Sequence, residues 1–312
     1  MVKCKICDDK FESEQDLHPH LRKHKIRIAE YYQKFFPRRD LFSGDLIKFK
    51  NKDYYFSTDF NSRPNMKRWL NEQSSEGARE YTKLLLKTRV EKKKLKYSPT
   101  QVELRTVMFP PIQCLHLIHG DYHKFCSELN LKNRFSNTLP LSKNCLSEKI
   151  LKEHLICVDT REQRPLKFSH PIEVRTLKFG DYTLDDPEVA NNCYIERKSL
   201  SDFIGTMSGG LSRFHKEIQK AEDAGAYVVV LVERSLNECS AFNRLPYVSK
   251  KIKATPEYIF RNVREVIQKY KSVQFLFVKG RREASEITKK ILFSKGKCRD
   301  IDLQLAYDLK LL

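Results

Sequence analysis

The chain has 312 residues, 40% of them hydrophobic, enough for two domains with sizeable cores. Its 59 lysines and arginines outnumber 40 aspartates and glutamates for a formal charge of +19, which points to a polyanionic partner more than to a small neutral one. No apolar run approaches a membrane span and no charged-then-apolar leader opens the sequence, so an intracellular protein without a membrane partner is expected, in the cytoplasm or nucleoid if prokaryotic or viral and in the nucleus if eukaryotic. Of the nine cysteines only Cys4 and Cys7 are closely paired, as in a reducing compartment.

Residues 1–26 carry Cys4-x2-Cys7, Phe11, Leu17, and His20-x3-His24. This is the spacing of a two-Cys, two-His zinc finger, with two thiolates from a short hairpin and two imidazoles one helical turn apart closing a tetrahedral Zn²⁺ site. Phe11 and Leu17 would form its small core. The helix positions that would face bases are Ser13, Asp16 and Pro19, a poor set for reading DNA, so a structural role or a protein partner is favoured over sequence reading.

Residues 27–145 read as a basic, mostly helical middle region that would bind DNA or protein. A helix is expected over Ile28–Phe36. A hairpin is expected from Leu46–Lys50 and Tyr54–Phe56. A long helix is expected over Ser75–Lys96, with Tyr81, Leu84, Leu85 and Val90 inward and Lys83, Lys87, Lys92, Lys93 and Lys94 among its exposed cations. Those cations are a candidate phosphate-tracking face. Cys114, His116, His119, His123 and Cys126 crowd one stretch without fitting a metal template. Residues 130–146 read as a linker.

From 150 to 312 strands alternate with helices: strands at Leu155–Asp159, Ile172–Lys178, Cys193–Lys198, Ala226–Val232 and Val273–Val278, and helices from Ser201, Leu211, Pro256 and Arg281. This is an α/β layered domain around a central sheet. In the third strand, alternation puts Glu196 and Lys198 on one face and Arg197 on the other. With Asp181 from the preceding Gly180 turn beside Glu196, two carboxylates could hold a hard divalent cation.

The sequence Val158-Asp159-Thr160-Arg161-Glu162, then Gly180-Asp181-Tyr182, then Glu196-Arg197-Lys198-Ser199-Leu200-Ser201-Asp202-Phe203, with Arg213 on the next helix, resembles the nuclease domain of the XPF (xeroderma pigmentosum group F) family of structure-specific DNA endonucleases. The resemblance spans about half the chain. It implies a restriction-endonuclease-like fold and a Mg²⁺- or Mn²⁺-dependent hydrolysis of DNA, in repair, recombination or replication, near flaps, forks or junctions. On that reading Asp159, Asp181, Glu196 and Lys198 are catalytic. Asp181 and Glu196 are metal ligands, joined by Asp159 at a second ion or its waters, and Arg161, Glu162, Arg197 and Arg213 face substrate.

The pair of helix-hairpin-helix motifs common in the family does not follow, which leaves open a homodimer or heterodimer through the nuclease domain. The finger and the basic N-terminal half, where residues 1–150 hold 30 of the basic side chains against 18 acidic ones, are expected to supply the DNA grip instead. A non-catalytic scaffold subunit and a sequence-specific endonuclease are the alternatives.

Overall fold

The computed structural model describes residues 1–38, 46–51, 55, 74–107, 109–136, 148–249 and 252–312, with backbone only for 148–150. The chain divides into two compact units, residues 1–88 with 108–110, and residues 89–107 with 111–312.

In the first unit, strands β1 (Val2–Lys3) and β2 (Lys10–Phe11) pair antiparallel, and the helix Glu14–His20 follows. Ser13 caps that helix by accepting from the Asp16 amide while the Asp16 carboxylate returns the bond, which satisfies two amide donors. The helix Ile28–Phe35 lays Tyr31 and Tyr32 into one core with Cys4, Leu17 and Leu21. Most of the expected hairpin at 46–56 lies outside the described residues. The helix Ser75–Lys93 buries Ala78, Thr82 and Leu86, whereas Leu84, expected inward, is 63% exposed.

The second unit is built on a six-stranded sheet: β3 (Ile156–Asp159), β4 (Ile172–Arg175), β5 (Tyr182–Leu184), β6 (Cys193–Lys198), β7 (Tyr227–Val232) and β8 (Val273–Phe277), in the order β4-β3-β5-β6-β7-β8. β3 runs parallel to β4. β6, β7 and β8 run parallel to one another, and β5 is antiparallel to both β3 and β6. Five strands therefore point one way and β5 the other.

β7 and β8 are buried throughout because both faces are covered. Val228, Val230 and Val232 pack with Phe203, Phe214, Ile218 and Val263, from the helices Leu200–Thr206, Leu211–Asp223 and Pro256–Lys269. Val229 and Leu231 pack oppositely with Ala284, Ile287, Ile291 and Leu303, from Arg281–Leu292 and Leu303–Asp308. The protein is thus a mixed α/β structure with a central sheet, as the strand and helix pattern implies. No described helix is long and apolar enough to cross a membrane.

The compact unit that holds the sheet also takes in residues 89–107 and 111–136, which the sequence assigned to the middle region. Gln101 donates its amide to Asp302 at 2.7 Å. Arg134, 3% exposed, donates to the carbonyls of Ile267 and Val273 at 2.5 and 2.6 Å. These buried bonds fold residues from the expected middle region into the same unit as the sheet.

Candidate active site

The strand directions gather the candidate residues. The C-terminal ends of β3, β6 and β7 and the N-terminal entry of β5 share one edge of the sheet, the kind of edge where open α/β sheets place their sites. Asp159 ends β3, Asp181 enters β5, Glu196 to Lys198 end β6, and Glu233 follows β7. The backbone ties them: the Asp159 amide donates to the Asp181 carbonyl at 2.9 Å, and the Asp181 amide to the Ile195 carbonyl at 2.7 Å.

Gly180 makes the turn with φ +58°, and a Cβ there would lie 2.8 Å from the Ile195 carbonyl oxygen. A side chain would therefore strain the turn and push β5 from β6. Tyr182 is fully buried, and its hydroxyl accepts from the Leu166 amide at 2.9 Å. The Gly-Asp-Tyr run thus supplies a close approach, a carboxylate and an anchor.

Asp181 Oδ2 accepts from the Arg197 amide at 2.7 Å, and Lys198 Nζ donates to Glu196 Oε1 at 2.7 Å. Among the described residues no hydrogen bond claims Asp181 Oδ1 or Glu196 Oε2. Burial and the neighbouring Glu196 charge push the Asp181 carboxyl up to about 7, against the pull of the Arg197 amide and Lys198. Two such carboxylates with open oxygens suit a hard divalent cation, which would relieve that repulsion. The donor set therefore fits Mg²⁺ or Mn²⁺ at Asp181 and Glu196.

Asp159, expected as a metal ligand, already accepts hydrogen bonds on both carboxylate oxygens. It is 1% exposed, and its carboxylate accepts from the Arg161 amide at 2.8 Å, Arg161 Nε at 2.6 Å, an Arg161 terminal nitrogen at 3.1 Å and the Leu177 amide at 2.7 Å. Burial raises its pKa, but these donors outweigh burial and hold the carboxyl below its ordinary range. Four donors on two oxygens occupy the group, so Asp159 organises the turn after β3 and the approach to Gly180.

Arg197 and Glu162, expected to face substrate, face each other. Arg197 donates to Glu162 at 2.7 and 3.0 Å and lies 3.3 Å from Glu233, all three side chains nearly buried. The alternation of β6 predicted that Arg197 would leave the Glu196–Lys198 face. The pairing with Glu233 was not visible, although an acid closing an apolar strand at the same edge was its signal. Arg161 keeps 68% of its side chain exposed in the field of Asp181 and Glu196. Arg213 is exposed and pairs with Glu217 at 3.3 Å.

In the first unit, the donor atoms of Cys4, Cys7, His20 and His24 all lie within 4.8 Å of one another, which suits tetrahedral Zn²⁺. Among the described residues, Cys114, His116, His119, His123 and Cys126 form no such group. Instead His119 stacks on Phe125 with ring centroids 3.7 Å apart, and Cys126 is fully buried.

Residues 158–291 match the ERCC4 domain. Among solved structures, the chain is similar to XPF from Aeropyrum pernix, and to the same protein in complex with DNA. Each is 17% identical, over 44% of this chain and 64% and 62% of those chains, with TM-scores of 0.33 and 0.34. This chain therefore spans less than two thirds of either. No curated protein matches it. The domain match covers the stretch that holds most of the α/β sheet and the carboxylates at its edge.

Proposed function

We propose that the second unit is a divalent-metal-dependent DNA endonuclease acting at flaps, forks or junctions. The observation that carries this reading is the Asp181–Glu196 pair, two carboxylates with open oxygens beside Lys198, with burial and then the Glu196 charge raising Asp181 to about 7. A Mg²⁺ or Mn²⁺ ion bound there would supply an activated water and neutralise phosphate charge. Asp181 and Glu196 would hold it. Lys198 would orient the attacking water or stabilise charge on the scissile phosphate as it builds. Asp159 fixes the turn that carries Arg161, and the exposed Arg161 and Arg213 guanidiniums would contact the DNA backbone. In-line attack would leave a 5′-phosphate and a 3′-hydroxyl.

DNA as substrate is supported by the ERCC4 match and by the charge of +19. Cys4, Cys7, His20 and His24 would bind Zn²⁺ to hold the N-terminal module together. That module would face DNA backbone or a protein partner, because Ser13, Asp16 and Pro19 supply no cation for reading bases. The test is cleavage of end-labelled fork, 3′-flap, 5′-flap, four-way junction and plain duplex DNA with Mg²⁺ or with chelator, beside Asp181→Ala. Cutting near branches by the unaltered protein alone supports the proposal. No cutting by either protein, with salt-sensitive binding by both, would replace it with a DNA-binding subunit.

A further inference from the structure

Arg281, in the first turn of the helix Arg281–Leu292, reaches across the sheet edge. One terminal nitrogen donates to Glu233 Oε1 at 3.0 Å, and the other donates to the carbonyls of Arg164 and Pro165 at 2.7 and 2.9 Å. Glu233 is thereby held between two guanidiniums, since its other oxygen lies 3.3 Å from Arg197. Arg197 in turn grips Glu162 through its side chain and Asp181 through its amide. Hydrogen bonds and one ion pair thus link Arg281 through Glu233 and Arg197 to one of the two proposed metal-holding carboxylates.

The same helix adds contacts at one-turn intervals. Ser285 donates to the Lys167 carbonyl and Lys289 to Ser169 Oγ, the latter at 3.4 Å, so positions 281, 285 and 289 form a stripe along the segment 164–169. That segment continues the turn carrying Asp159 and Glu162, and Tyr182, next to Asp181, holds it from the sheet through the Leu166 amide.

We propose that Arg281 is a positioning residue for divalent-ion binding at Asp181 and Glu196. It sets Glu233 and the 164–165 backbone so that Arg197 keeps Asp181 in place. The inference rests on the reading of Asp181 and Glu196 as the metal-holding pair. A purely stabilising role fits the geometry less well. Arg281 is 45% exposed and Glu233, 9% exposed, keeps Arg197 as a second partner, so losing Arg281 leaves no buried charge unpaired, while its planar fork serves a carboxylate and two carbonyls at once.

The test uses the full-length protein with Mn²⁺ as probe, comparing the unaltered chain with Arg281→Ala, Arg281→Lys and Asp181→Asn. Mn²⁺ affinity is read by calorimetry, with the thermal midpoint and, where DNA is cut, the Mg²⁺ concentration for half-maximal rate. Arg281→Ala is expected to weaken Mn²⁺ binding roughly tenfold, the usual scale for groups that orient a ligand, while the thermal midpoint barely moves. Arg281→Lys, which keeps the charge but loses the fork, should recover part of that loss. Unchanged Mn²⁺ affinity in a folded Arg281→Ala protein overturns the proposal. So does a fall in affinity that follows the thermal midpoint with no recovery in Arg281→Lys. If the unaltered chain binds Mn²⁺ no better than Asp181→Asn, the metal-pair reading itself fails and this inference falls with it.

Discussion

Arg197 Nε donates to Glu162 Oε2 at 2.7 Å with only 11% and 5% of the two side chains exposed, so the arginine of the Glu-Arg-Lys motif is a buried strut. Removing one partner of such a pair leaves an uncompensated charge, at a cost of about 3–5 kcal/mol. Arg197→Ala is therefore expected to lower unfolding free energy by that amount in urea titration. Lys198→Ala should abolish cleavage and cost less stability than Arg197→Ala, since Glu196 keeps 25% of its side chain exposed to water against 5% for Glu162. Equal stability in the two variants would refute the division of labour.

The raised Asp181 carboxyl makes stability depend on pH. Its ordinary pKa of 3.8 applies to the unfolded chain, and about 7 to the folded one. Between these values the folded state keeps a proton that the unfolded state has released. Without added Mg²⁺ or Mn²⁺, the contribution of this group to stability therefore falls as pH rises from 4 to 7, by about 1.4 kcal/mol for each pH unit crossed. Asp181→Asn should flatten this slope, and Mg²⁺ should restore stability near pH 7 in the unaltered protein only. Thermal melts from pH 4 to 8 decide it. A slope identical in Asp181→Asn would show that other groups carry it.

What the sequence made legible follows from how local each signal is. The finger ligands and the Glu196–Lys198 face depend on spacing within a few residues, and the structure places Cys4, Cys7, His20 and His24 together and Lys198 2.7 Å from Glu196. The partners of Arg197 and Asp159 depend on where β7 and the Leu177 approach arrive in space, which no local pattern encodes. The Ser75–Lys93 helix shows a phase error. Ala78, Thr82 and Leu86 make the buried stripe, and a sequence reading that follows Leu84 and Leu85 selects the neighbouring one. The strand β5 has three residues and is absent from the strands the sequence predicts, because so short a run shows almost no periodicity.

On the proposed zinc reading, metal removal should act beyond Cys4, Cys7, His20 and His24. The Tyr31 hydroxyl accepts from the Lys5 amide at 2.9 Å, between Cys4 and Cys7, and Tyr32 meets His18 at 3.1 Å. Both tyrosines share the core of Leu17 and Leu21. Metal binding in so small a module is folding energy. Chelation, or Cys7→Ala, is expected to release both tyrosines, seen as loss of near-ultraviolet dichroism and of dispersed amide signals from residues 1–36. Persistence of those signals in the metal-free protein would show that aromatic packing alone holds the module.

The extent of the second unit can be tested through Arg134. Its guanidinium donates to the carbonyls of Ile267, Tyr270 and Val273, which connect the helix Pro256–Lys269 to β8, at 2.5, 2.8 and 2.6 Å. Truncating a 3% exposed side chain here leaves buried acceptors unpaired, each costing about 1–3 kcal/mol. Arg134→Ala should therefore destabilise the unit by more than about 3 kcal/mol. By the same reasoning a fragment beginning at Arg89 should fold and unfold cooperatively, whereas one beginning at residue 150 should lose that transition, because the partners of Asp302, Gln268 and the 267–273 carbonyls are gone. Cooperative unfolding of the shorter fragment at unchanged denaturant midpoint would return the boundary to residue 150 and reduce residues 89–136 to an attachment.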